Sequence, residues 1–233
     1  MKILIFTILF NVLNYTGAAA FNPLDYSPQA YFGFNQGITY NPTTYAVSQW
    51  DDLTGNGYNA QQLTTAQQPI YDNTTGLIAG GLYKSLDTGF SWTDPSSLII
   101  RMKVASANVY YAGHNIGNFK RVRTLNNNSG RTEYSGSFFN PFTQPTNNTL
   151  YNISILQNSP NKINGFKVFI DGVNVVNVNT PATIFNGGSF KIGSILNNYL
   201  YSSGTFHSVI LFNRVIEESE RVKIENYFIN ETL

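Results

Sequence analysis

TFHSVILFNRVIEESERVKIENYF, residues Thr205 to Phe228, changes its repeat halfway along, and that change decides the fold around it. Thr205 to Phe212 is β-branched and aromatic, the composition of a buried strand. Beyond Asn213-Arg214 an acidic cluster opens a helical pattern, with Glu217, Glu218 and Glu220 in the first turn, where the positive end of the helix dipole favours carboxylates. Ile224, Tyr227 and Phe228 follow at i, i+3 and i+4, one narrow apolar stripe on a charged helix. Such a helix must lie on something apolar. The rest of the chain offers sheet for it to cover.

Working outward, short strand-like runs alternate with Gly and Asn clusters. Trp92 to Lys103 begins with a turn at Asp94-Pro95 and becomes strand from Leu98, where apolar residues run together as in a sheet buried on both faces. Pro69 to Tyr71, Gly80 to Tyr83, Val109 to Ala112, Arg121 to Leu125 and Arg131 to Tyr134 read as further strands, with a loop at Asn126 to Gly130. Thr149 to Gln157 is followed by a hairpin, Phe166 to Ile170 and Val173 to Val178, joined by Asp171-Gly172, a strong turn signal. Phe190 to Ile195 precedes the closing strand. The pattern predicts an all-β fold, a two-sheet antiparallel jelly-roll sandwich with a short C-terminal helix.

Three phrases carry a family resemblance. Phe212, Asn213, Arg214, Glu220, Arg221, Ile224, Glu225, Tyr227 and Phe228 match the closing strand and helix of concanavalin A-like lectin/glucanase and laminin-G-like jelly-roll domains, with Glu217 where a capping Ser is usual. Ser48 to Gly57 resembles the W-x-D-x-S-G-N-G turn of the same domains, and Phe21-Asn22-Pro23-Leu24 to Ser27-Pro28 resembles their first residues. Domains of this kind occur in phage structural proteins and in secreted bacterial proteins. The resemblance brackets Phe21 to Phe228 and implies the fold more strongly than any activity.

Composition narrows the function classes. A chain of 233 residues with 42% hydrophobic and 15% aromatic content can bury a sizeable core, and an all-β sandwich of this length is commonly one domain, here residues 21–233. The net charge is +1 with 12% charged residues, so no basic field exists to hold nucleic acid. Cysteine is absent, which removes disulfides and thiolate metal sites. Residues 1–20, MKILIFTILFNVLNYTGAAA, have the layout of a signal peptide with an A-x-A site at Ala18 to Ala20; the alternative is an uncleaved apolar arm that binds other structural subunits. The apolar run is short for a membrane span, so a protein partner is expected rather than a membrane.

Candidate chemistry is sparse. A retaining glucanase needs two carboxylates about 5–5.5 Å apart, which i, i+2 spacing on one strand supplies, and no Glu-x-Asp-x-Glu phrase occurs. There is no G-x-S-x-G elbow either. His207 falls in the closing strand, where a satisfied sheet histidine is expected, whereas His114 lies in a Gly-rich loop open to a ligand. Tyr110, Tyr111, Tyr134, Tyr199 and Tyr201 lie beside Asn-rich and Gly-rich turns. With His114 they are the candidate ligand-binding residues, since sugar C–H faces stack on aromatic rings; the other reading places such rings in the core. Asp51, Asp52 and Asn56 in the Trp50 turn read either as hard oxygen ligands for calcium or as turn formers. The expectation from sequence is a non-catalytic recognition module, not an enzyme, displayed on a virion and binding surface polysaccharide. The alternative is a secreted bacterial carbohydrate-binding protein, so the location expected is virion or extracellular.

Overall fold

A computed structural model gives the conformation of residues 21–72, 76–78, 84–103, 110–113, 120–124, 129–134, 137–143, 149–180, 189–195, 200–201 and 204–231. The signal peptide or arm expected at residues 1–20 and the strand expected at Gly80 to Tyr83 lie outside the described residues. In chain order the strands begin with β1 (Ala30–Phe32), β2 (Ile38–Tyr40), β3 (Val47–Trp50), β4 (Ala60–Gln61), β5 (Ile70–Asp72), β6 (Gly76–Ile78) and β7 (Leu86–Ser91). They continue as β8 (Ser96–Lys103), β9 (Tyr110–Gly113), β10 (Lys120–Thr124), β11 (Ser129–Tyr134), β12 (Ser137–Thr143) and β13 (Leu150–Gln157). The last are β14 (Phe166–Ile170), β15 (Val173–Val178), β16 (Ser189–Ile192), β17 (Ser194–Ile195), β18 (Leu200–Tyr201) and β19 (Thr205–Phe212), before helix α1 (Glu218–Glu231).

These strands form two antiparallel sheets. One has the order β15-β14-β13-β8-β19-β6-β5, with β1 also paired to β19; the other has the order β12-β11-β10-β9-β16-β7-β4-β3-β2, and β17 and β18 make a small ribbon. The sandwich and the C-terminal helix expected from the pattern are both present. Asp171 and Gly172 both take positive φ, 44° and 79°, as the two-residue turn between β14 and β15 demands.

The continuous apolar runs of β8 and β19 place both strands in the middle of the first sheet, covered on both faces. Leu98, Ile100, Met102, Val209 and Leu211 face the second sheet, where Trp50, Phe90, Trp92, Phe190 and Ile192 close the core. Ile99, Ile210 and Phe212 point the other way, onto Ile224 and Phe228 of α1. A bulge at His207 allows Phe206 and Val209 to share the inner face despite their odd spacing, because the register skips one residue between Phe206 and Ser208.

Helix α1 differs from its expected stripe. Its buried residues are Arg221, Ile224, Glu225 and Phe228, and Tyr227 is half-buried. Arg221 and Glu225 pair at 2.5 Å, the guanidinium lies 4.0 Å from the Phe169 ring centroid, and Glu225 also accepts from Ser154. The missing capping hydroxyl is offset by Glu220, whose Oε2 accepts the Glu217 N–H at 2.7 Å and which Arg214 grips with two 2.7 Å bonds. Among the described residues no helix is long and apolar enough to cross a membrane.

One side of the sandwich is stitched shut. The chain from Tyr45 to Val47 leaves β3 and bonds β5, with the Tyr71 N–H donating to Tyr45 O and the Val47 N–H to Pro69 O, each at 2.8 Å.

Candidate functional site

Because α1 covers the outer face of the first sheet, the outer face of the second is the open surface. Its strands alternate. Leu86, Thr88 and Phe90 of β7 point into the core, whereas Asp87, Gly89 and Ser91 do not; Phe190 and Ile192 of β16 point in, whereas Ser189 and Lys191 do not. Register then assembles one transverse row: Gln49 stands opposite Gln61, Gln61 opposite Asp87, and Asp87 opposite Lys191. The same row continues through Gly113 and Arg121 to Glu133.

Two groups of side chains within the row are bonded. Gln49 Nε2 donates to Asp51 Oδ1 at 2.5 Å, and Gln61 Nε2 donates to Gln49 Oε1 at 2.7 Å. Lys191 Nζ lies 3.3 Å from Asp87 Oδ2. Asp87 Oδ1 accepts from the Ser189 hydroxyl and, at 3.0 Å, from the Gly89 N–H. Gly89 holds φ of +65°, and a side chain there would meet nothing within 4 Å, so the backbone itself forms an open floor. The result is a groove of about 700 Å³ lined by Asn59, Gln61, Gln62, Asp87, Ser189 and Lys191 among others. Amide donors and acceptors, a carboxylate and an ammonium converge on it, the polar equipment for a ligand rich in hydroxyls.

Of the residues expected to bind a ligand, four are placed only as strand positions. His114 and Tyr199 lie outside the described residues. Tyr110, Tyr134 and Tyr201 are strand residues opposite Arg123, Lys120 and Ser194 respectively, and Tyr111 lies in β9. The groove residues escaped notice because their signal, polar side chains at alternate positions of β7 and β16, is the ordinary signature of an outward face.

The Trp50 turn is built as a knot. Asp52 is buried, and its carboxylate accepts from the Tyr31 and Thr54 N–H groups at 3.0 Å, from the Tyr58 N–H at 3.3 Å and from the Thr54 hydroxyl at 2.8 Å. Asn56 Nδ2 donates to Gln29 O at 3.0 Å, and Asp51 is engaged by Gln49. Asp52 and Asn56 are therefore occupied in joining this turn to β1. Among the described residues no group of three or more His, Asp or Glu comes together as a metal site.

His207 is buried, as expected of a sheet histidine, but it is not satisfied. It occupies the β19 bulge, stacks on Phe34 at 4.7 Å, and among the described residues its Nδ1 has no hydrogen-bond partner. Burial, reinforced by Arg101 and Lys103, lowers its pKa to about 4.

No protein-family model matches the sequence, and no curated protein matches it. Solved structures share its fold. A Trypanosoma rangeli sialidase in complex with sialic acid superposes with a TM-score of 0.64 at 14% identity, over 87% of this chain and 33% of the sialidase. A mutant of that sialidase displaying trans-sialidase activity gives 0.61 at 15% identity, over 87% and 33% of the two chains. A GH54 α-L-arabinofuranosidase soaked with a cyclic sulfate inhibitor gives 0.59 at 9% identity, over 80% and 51%. The chain thus spans about a third of the sialidases' length and about half of the arabinofuranosidase's. At these identities the likeness is one of fold.

These neighbours correct two expectations, that the domain is a non-catalytic virion module and that it is not an enzyme. The chains named above that share the sandwich are glycosidases. The physical reason for the error lies in the search for paired carboxylates on a single strand. A transverse row gathers residues from separate strands, so Asp87 joins Gln61 and Lys191 on one face without any local motif.

Proposed function

We propose that the chain is the sandwich unit of a carbohydrate-processing protein and takes its saccharide in the groove over β4, β7 and β16. The observation that carries this reading is the register row Gln49, Gln61, Asp87 and Lys191, with its bonded pairs Gln49–Gln61 and Asp87–Lys191, on the sheet face that α1 leaves open. The glycosidases sharing the fold support it, and the finer assignment to the concanavalin A-like group is part of the same proposal.

The chemistry would be glycosidic-bond cleavage. Asp51 lies two strands from Asp87 in the sheet and two residues along from the row, roughly 12 Å away at about 4.8 Å per strand and about 3.4 Å per residue. That exceeds the separation of about 6.5–9.5 Å that leaves room for a water between acid and base, so Asp87 is the carboxylate that the groove itself supplies. Glu133, four strands from Asp87 in the row, is roughly 19 Å away along the sheet and too distant to pair with it. In this reading Asp87 works on the glycosidic oxygen or its attacking water, and the Gln amides hold hydroxyls.

The test is release of reducing ends from arabinan, arabinoxylan, a β-glucan and 3′-sialyllactose. At least one should be cleaved, and Asp87→Asn should lower the rate on it by about 10²-fold or more. No release from any of them, or release unchanged in Asp87→Asn, would overturn the assignment.

A further inference from the structure

A second surface carries aromatic rings, and it lies on the stitched side of the sandwich, away from the groove. Tyr40, Tyr45, Tyr71 and Asp72 line a cleft of about 290 Å³, near the lower end of the roughly 300–1,000 Å³ common for ligand clefts. Tyr40 and Tyr45 are nearly parallel, 13° between planes with centroids 6.1 Å apart, and Tyr71 lies 4.7 Å from Tyr40. The Tyr71 hydroxyl donates to Asn35 Oδ1 at 2.8 Å, which fixes that ring.

Tyr45 is the telling residue. Its φ is +56°, the left-handed region, where Gly or Asn sits at less cost than a bulky side chain. The backbone is held there by the Tyr45 N–H bonded to Asn41 O at 2.7 Å and by the Tyr71 N–H on Tyr45 O, while Asn41 Oδ1 accepts from Thr43 and Thr44. Yet the ring so placed is 51% exposed, and Tyr40 beside it is 39% exposed. Core packing therefore does not account for an aromatic residue at a position that favours glycine. Strain of this kind, kept to present a side chain to solvent, is the mark of a binding position.

We propose that these tyrosines form a second saccharide subsite, in which one pyranose ring lies on the Tyr45 face, with Asp72 in the lining of the same cleft. The ligand class rests on the carbohydrate reading of the groove. The near-parallel rings favour a flat, neutral partner, because a quaternary ammonium calls for rings set steeply around it.

The experiment titrates the full chain with xylohexaose, mannohexaose and cellohexaose, and with choline as the cationic control. Binding is followed by calorimetry and by the amide resonances of Tyr45 and Asp72. At least one hexaose should shift those resonances, Tyr45→Asn should weaken that binding tenfold or more with Tm unchanged or raised, and Asp87→Asn should leave it intact. Hexaose binding that is lost in Asp87→Asn and kept in Tyr45→Asn would overturn the subsite while sparing the groove. Choline shifting the resonances in place of every sugar, or no shift with any probe, would also overturn it. Should Tyr45→Asn and Tyr45→Gly both melt several degrees lower, the ring is a packing element and the proposal falls.

Discussion

His207 is a histidine that folding keeps uncharged. Its ordinary value is 6.5, and burial with Arg101 and Lys103 nearby lowers it to about 4. The unfolded chain therefore binds a proton that the folded chain refuses between those values. Stability is full above pH about 6.5, falls as pH drops toward about 4, and gains no further slope from this group below that, where both states are protonated. The expected loss is on the order of 2–3 kcal/mol across the window. Urea unfolding of the wild type and of His207→Phe, which can keep a stack on Phe34, should show this extra pH slope in the wild type alone. Equal slopes would mean that the imidazole is solvated. At this scale the Asp171-Gly172 turn was legible, because its residue types admit few backbone conformations. The strained Tyr45 was not, since nothing in Thr44-Tyr45-Ala46 announces a left-handed residue; bonds from Asn41 and Tyr71 impose it.

Helix α1 was readable as an element and only half readable as a surface. The change of period after Phe212 and the acidic first turn mark it, and Ile224 and Phe228 are fully buried against β19 and its neighbours. Phe228→Ala should therefore cost about 3–5 kcal/mol in equilibrium denaturation, and a loss under about 1 kcal/mol would contradict the packing described. Arg221 and Glu225 defeated the reading because apolar periodicity assigns charged residues to solvent. Here they bury together, each supplying the other's counter-charge, with Phe169 and Ser154 completing the site. That partnership depends on strands far away in sequence. The open groove failed to show for the same reason, since its row exists only once β3, β4, β7 and β16 are in register.

Across the whole molecule the two sheets have unequal exposure. One is enclosed by core and helix, the other has a wet face, and this asymmetry places the proposed groove on the second sheet. It also sets a stability gradient, so amides of β8 and β19 should be the slowest to exchange with solvent and those of the edge strand β15 much faster. Exchange in β19 as fast as in β15 would refute the enclosed arrangement. The position of β19 has a consequence for biosynthesis. It is the last strand of the sandwich, yet it pairs with β8, β6 and β1, so until it emerges the first sheet is three unjoined pieces, with β8 exposing an apolar edge. The sandwich therefore closes only after every one of its other strands has been made, and until then the nascent chain depends on whatever shields β8.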